Sequence, residues 1–280
     1  MRSAAPQSRS ATTTAFDRLA AEYDTLGGGE IFQLLRGRTH RVFGRLFPPG
    51  ASVLEIGCGT GADTQFLAAH GVHVVACDPS EEMVSRTLRR LAREGLDRHV
   101  AVVPCGLEAI DTYLDALNLA TRFDGIVSNF GALNCVEDLA PLAALVGRHL
   151  EPGGVVALGL MTRVCAVEAM YFAATRRPRL AARRLGHGAV QVKVAGIDVP
   201  TYYHRVSDVC EALAPVMRLC AIEGVGVTIP PPYLEPRWQM LPRPVRSVVT
   251  TVDGWLSHLP PFNRVGDHVL LQFRKEPAHA

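Results

Sequence analysis

Residues 53–61, VLEIGCGTG, constrain this chain more than any other stretch. Val53, Leu54 and Ile56 are branched apolar residues of the kind that fill a strand buried on both faces. Gly57, Gly59 and Gly61 then turn the chain. Residues 62–70 read as a helix, with Gly71 past its end. Strand, glycine turn and helix bring backbone N–H groups to a ligand at a helix N-terminus. On this reading a side chain at any of the three glycines would hold the ligand off.

Gly57, Gly59 and Ala62 also satisfy the dinucleotide pattern G-x-G-x-x-G/A, so the turn alone does not choose a ligand. The run VHVVAC (72–77) predicts a second strand, and Asp78 ends it. An acid there suits the two hydroxyls of a ribose, in NAD or in S-adenosylmethionine. Pro79 and Ser80 open a helix with Glu81 and Glu82 in its first turn. Its apolar face is Met83, Val84, Thr87, Leu88 and Leu91. FDGIVSNFGALN (123–134) predicts a fourth strand with a loop at its carboxyl end. EPGG (151–154) precedes a fifth strand over 155–161.

Taken together, and with Glu55 two residues before the first glycine, these runs resemble the class I S-adenosylmethionine-dependent methyltransferases. The resemblance covers roughly residues 16–160 and a final strand near the C-terminus. It implies an α/β fold: a doubly wound, Rossmann-like, seven-stranded and mostly parallel sheet of order 3-2-1-4-5-7-6. It also implies a substrate lid inserted between strands 5 and 6. The chain would then be one methyltransferase domain over 1–280. Its parts are an N-terminal helical cap (1–47), a cofactor-binding core (48–161), the lid (162–214), and C-terminal strands and helix (215–276). The implied cofactor is S-adenosylmethionine, surrounded by Tyr23, Glu55, Gly57, Gly59, Gly61, Asp78, Met83, Leu107 and Asn129. In the family the turn at Cys105-Gly106-Leu107 flanks the adenine ring. Many members have an acid followed by a small residue there; in this chain a backbone amide or Glu108 would take the acid's place.

Composition narrows the partners. A length of 280 residues suffices for a full core. Lys and Arg total 29 against 27 Asp and Glu, a net charge of +2, and no Lys/Arg-rich tract of nucleic-acid type occurs. We therefore expect a small-molecule acceptor and no nucleic acid; a homo-oligomer is compatible with the composition. Seven scattered cysteines without a C-x-x-C pair read as buried thiols in a reducing compartment. Residues 1–13 read as disordered, with no apolar segment of a secretory signal. No apolar run approaches the ~20 residues of a membrane span. These features predict a cytoplasmic protein with no membrane span.

The acceptor side is sought in the cap and lid. Phe16, Leu19, Ala20 and Tyr23 share one helical face. By the resemblance this segment folds over the cofactor and Tyr23 meets its methionine end; a packing role fits Tyr23 equally well. Arg36, Arg38 and Arg41 read as a solvated face. In the lid, Thr162 caps a helix to about Thr175, with Val164, Glu168, Tyr171 and Thr175 on one face. Glu168 is the first candidate for a base, because apolar surroundings raise a carboxyl pKa toward the range useful for proton removal. The competing reading, slightly ahead, pairs it with Arg163 or an arginine of the next segment. His204 is the runner-up and His187 stands behind it. Tyr171 and Tyr202 are placed on the acceptor, and Arg176 and Arg177 on an anionic head group, although such runs are more often solvated. Residues 190–194 and 197–204 form a hairpin around Ala195-Gly196. Val245, Val248, Val249, Val252, Trp255, Leu256 and Leu259 mark a late amphipathic helix. No metal-ligand spacing stands out, so no metal residue is assigned; Mg2+ enters only with a diphosphate acceptor.

The expected activity is methyl transfer from S-adenosylmethionine to carbon or oxygen of a small, largely apolar or amphiphilic metabolite. An isoprenoid diphosphate, a polyketide or a lipid-like molecule of natural-product biosynthesis fits. One alternative is a cofactor-binding protein that has lost catalysis. Another is an NAD-dependent reductase, against which stand EPGG and the lack of a Tyr-x-x-x-Lys pair.

Overall fold

Nine strands and eleven α-helices make up the computed structural model, which describes residues 10–119, 122–186 and 188–276. Residues 1–9 and His187 lie outside them. The strands are β1 (Ser52–Ile56), β2 (His73–Cys77), β3 (Val100–Val103), β4 (Phe123–Ser128), β5 (Leu150–Met161), β6 (Ala189–Val194), β7 (Ile197–Tyr202), β8 (Met217–Val225) and β9 (His268–Lys275). The helices are α1 (Ala11–Leu26), α2 (Glu30–Leu46), α3 (Ala62–Ala69), α4 (Glu81–Glu94), α5 (Ile110–Ala116), α6 (Ala140–His149), α7 (Ala166–Ala174), α8 (Pro178–Ala181), α9 (Val206–Leu213), α10 (Glu235–Gln239) and α11 (Arg243–Leu256).

The main sheet has the order β3-β2-β1-β4-β5-β9-β8. Neighbours from β3 to β5 are parallel, while β9 runs antiparallel to both β5 and β8. With the hairpin β6–β7 set apart, this is the expected order 3-2-1-4-5-7-6. Alternation along each strand feeds two cores. Leu54, Val75, Ile126 and Leu158 pack with Leu142 and Leu145 of α6 and Leu213 of α9. Val53, Val74, Val127 and Ala157 pack on the other face with Ile31, Leu35 and Phe43 of α2 and with Trp238. Both faces are covered, which is why these strands read as continuous apolar runs.

Ser80 caps α4 as its sequence predicts, its Oγ accepting from Met83 N at 3.2 Å. Of that helix's apolar face Met83, Val84, Thr87 and Leu91 are buried, while Leu88 is exposed. The hairpin forms around Ala195-Gly196, both with positive φ (46° and 81°), as a two-residue connection requires.

Several expectations need correction. Helix α1 begins at Ala11, capped by Ser10 Oγ on Thr13 N, so residues 11–13 are ordered helix. Helix α7 starts at Ala166, because the Thr162 hydroxyl donates to the carbonyls of Val164 (3.0 Å) and Gly266 and so ties down the strand end. Arg38 is buried against Asp253 at 2.8 Å. Val245, Val248, Trp255 and Leu259 of the late amphipathic helix point outward, and Asp253 is what it buries. Among the seven cysteines, Cys220 is exposed. Among the described residues no helix is long and apolar enough to cross a membrane.

Candidate functional site

At the carboxyl end of β1 the three glycines divide their work. A Cβ on Gly57 would lie 2.3 Å from Cβ of Ala132, and one on Gly61 would lie 2.6 Å from Cγ2 of Thr87. Those two glycines let neighbouring elements close in. Gly59, at φ +56°, has nothing within 4 Å of its ideal Cβ. It is the glycine whose missing side chain leaves space for a ligand.

Asp78 stands beside that space. Its Oδ2 accepts from Gly59 N and its Oδ1 from Ser80 N, both at 2.9 Å. Burial pushes its carboxyl up to about 6, against the opposing pull of those two N–H groups. Glu55 is buried and accepts from the Thr64 hydroxyl at 2.6 Å. Burial, with the Asp63 charge nearby, pushes it up to about 8.

Sequence reasoning missed a second layer of this site. Asp63, on the first turn of α3, meets His40 Nε2 at 2.6 Å, Asn129 Nδ2 at 2.9 Å and Arg36 Nε at 3.5 Å. Burial pushes its carboxyl up, but these partners outweigh burial and the carboxyl ends below its ordinary range. The Arg36 guanidinium lies over Phe32 (4.5 Å) and Phe130 (5.2 Å), two rings that stack at 4.8 Å. Phe130 has a positive φ of 48° and presents its ring to the edge of His268 at 5.4 Å. Arg36, Arg38 and Arg41 follow one another at short spacing, and sequence carries no signal that the first two turn inward.

Tyr23 is half-buried and within electrostatic reach of Arg36, Asp63, Asp78 and Asp24, with burial pushing its phenol up. Helix α1 is held over the glycine turn by two acids. Asp24 accepts from the Thr60 hydroxyl and Asp17 from the Ser80 hydroxyl, each at 2.6 Å. The Asn129 amide donates to Thr39 Oγ1 (3.1 Å) as well as Asp63, locking the loop after β4 onto α2 and α3. Met83 and Leu107 are buried at the starts of α4 and of the short turn after β3, and Glu108 is exposed.

The lid candidates fall elsewhere. Glu168 is buried, with Arg183 Nε on its Oε1 at 2.7 Å and Arg184 Nη2 on its Oε2. Arg184 Nη2 also meets Asp267 Oδ1 at 2.7 Å, and its Nη1 donates to Asp267 O at 3.0 Å. Both oxygens of this carboxylate are thus engaged by guanidinium groups. This is the pairing with arginines of the next segment that the competing reading expected, and it ties Glu168 of α7 to them. Cys165, Glu168 and Asp267 offer ligand atoms within 4.8 Å of one another, but the arginines already supply the positive charge a cation would bring. His204 is half-buried, Nε2 2.8 Å from the carbonyl of Val136, and its ring stacks on Tyr202. The Tyr202 hydroxyl donates to Glu137 Oε2 at 3.1 Å, and Tyr171 is half-buried against Phe172. Arg176 and Arg177 are exposed.

An open α/β sheet with a glycine turn after β1 and an acid at the tip of β2 defines a nucleoside-cofactor-binding domain. Residues 54–156 match a family described as a methyltransferase domain. The chain is 37% identical over 142 residues to a demethylmenaquinone methyltransferase of Clavibacter sepedonicus, covering 50% of this chain and 53% of that protein. The chain spans about half the length of the curated relatives it matches. A Burkholderia thailandensis 1,6-didemethyltoxoflavin-N1-methyltransferase, solved with 1,6-didemethyltoxoflavin and S-adenosylhomocysteine, has a TM-score of 0.52 at 17% identity, over 98% of this chain and 93% of that one. The 4+2-cyclase SpnF has a TM-score of 0.61 at 14% identity over 98% of each chain. At such identities the likeness is one of fold alone.

If Asp78 accepts ribose hydroxyls, binding needs its ionised form. Burial pushes its carboxyl up to about 6, so affinity should be full above that pH and fall as pH drops through it. Titration of S-adenosylhomocysteine from pH 7.5 to 5 should then show a loss approaching about tenfold per unit below the midpoint. Asp78→Asn should flatten the profile and weaken binding by roughly 1.5–3 kcal/mol. A wild-type profile in the Asn variant would place Asp78 outside the site.

Proposed function

We propose that this protein transfers the methyl group of S-adenosylmethionine to a small, largely apolar or amphiphilic metabolite, at carbon or oxygen. The observation that carries the reading is the open side of Gly59 beside the buried Asp78 carboxylate. The cofactor supplies an already activated methyl group, so the chain's own task is to bind, orient and exclude water. Gly59 leaves room for the backbone to approach the cofactor, and Asp78 accepts from its ribose. Asp63 and Arg36 offer a carboxylate and a guanidinium to the two ends of an amino acid. Tyr23 on α1 covers the methionine end. Phe32, Phe130 and His268 form an aromatic wall that suits an apolar acceptor.

Residues 162–214 act as the lid. The hairpin reaches the carboxyl end of β4 through Asn134, whose amide donates to the Tyr202 carbonyl at 2.7 Å. Tyr171 and Tyr202 touch the acceptor, while Arg176 and Arg177 meet an anionic head group when there is one. Tyr171→Ala and Tyr202→Ala should each raise the acceptor KM on the order of tenfold while the cofactor Kd stays within about twofold. Lost cofactor binding with unchanged acceptor selectivity would remove the lid assignment.

The reading is tested with methyl-labelled S-adenosylmethionine and a panel of phenols, fatty acids, and prenyl diphosphates with and without Mg2+. Label should pass to a lipophilic acceptor with stoichiometric release of S-adenosylhomocysteine. Binding of the cofactor with no transfer to any member would favour a protein that holds the cofactor without using its methyl group.

A further inference from the structure

Helix α11 is built inside out. Its inward anchor is polar: Asp253, fully buried, pairs with Arg38 and accepts from the backbone N–H of Thr228 (2.7 Å) and Ile229 (3.2 Å). Its outward stripe is apolar. Val245, Val248 and Trp255 are exposed and, with the half-buried Val252, follow the spacing i, i+3, i+7, i+10 of one helical face; exposed Leu241 and Leu259 continue it at either end. Val248 is 62% exposed and Trp255 71%. A Trp that exposed, within a continuous stripe, points to something that covers it.

The charges beside the stripe say what covers it. Between residues 237 and 264 the sequence has one acid, Asp253, and that carboxylate is consumed inside. Arg237, Arg243, Arg264 and His258 are exposed. Arg246 is half-buried and paired with Glu30. A second copy of this helix would bring the same cationic rim against itself. An anionic bilayer surface complements both features: the stripe enters the acyl boundary, Trp255 sits at the headgroup level, and the arginines meet lipid phosphates. We propose that the α11 stripe docks this protein onto an anionic membrane surface, the helix lying in the interface without crossing it. This stands whatever the acceptor proves to be.

The test is co-sedimentation of the full chain with phosphatidylcholine vesicles, with and without phosphatidylglycerol. The wild-type protein should partition onto the phosphatidylglycerol vesicles, and raised salt should weaken it. The double variant V248D/W255D should lose partitioning by on the order of tenfold or more. Both positions are exposed, and a melting temperature near wild type verifies the fold. R243S/R264S, which leaves the stripe intact, should lose roughly fivefold per arginine on the anionic vesicles alone. No partitioning of the wild type, or undiminished partitioning of V248D/W255D, overturns the proposal. So does a dimer in light scattering that W255D dissolves, since the stripe would then be a self-association face.

Discussion

Replacing Arg184 by alanine should destabilise the fold by about 3–5 kcal/mol, the largest effect expected of any single side chain here. Arg184 lies buried between the carboxylates of Glu168 and Asp267 and donates to the Asp267 carbonyl. Burial pushes the Asp267 carboxyl up, yet His268 and Arg184 outweigh it and hold the group well below the ordinary range. Without the guanidinium, the buried Glu168 and Asp267 carboxylates lose their shared partner and keep only Arg183 and His268 respectively. Helix α7 would then lose its tie to β9. Arg183, half-exposed over Tyr233 and Phe172, should cost much less when removed. Urea unfolding of both variants measures the difference. A loss below about 1 kcal/mol for Arg184→Ala, or equal losses for the two, would show that the cluster is not what anchors α7.

Gly59→Val should abolish cofactor binding, a loss of more than ~100-fold, with only a modest effect on the fold. The left-handed φ of +56° strains a β-branched residue by roughly 1–2 kcal/mol. The added Cβ meets no protein atom beyond its chain neighbours, because nothing else lies within 4 Å of its ideal position. On the proposed reading, what it fills is the ligand's space. Gly57→Val gives the contrast: its Cβ would strike Ala132, so folding and binding should fail together. A Gly59→Val protein that melts near wild type and still binds the cofactor would move the site away from this turn.

What sequence made legible was backbone-determined. VLEIGCGTG, VHVVAC and FDGIVSNF carry strand and turn in contiguous residues, and the sheet order followed from them through the family resemblance. The Ser80 cap and the Ala195-Gly196 turn are equally local. What stayed hidden depends on distant partners. Glu168 meets Arg183 and Arg184, fifteen and sixteen residues on. Arg38 meets Asp253 across 215 residues of chain. Periodicity on α11 could not tell an inward stripe from an outward one, since both have the same spacing. The aromatic wall of Phe32, Phe130 and His268 joins three separate segments, and no motif marks it.

The most direct measurement is calorimetric titration of the purified chain with S-adenosylmethionine, S-adenosylhomocysteine and NAD, alongside Gly59→Val. The glycine turn, Asp78 and the family match predict saturable binding of the first two ligands, weak or no binding of NAD, and no binding of any of the three by Gly59→Val. Tight binding of NAD with no response to S-adenosylmethionine or S-adenosylhomocysteine would contradict the account.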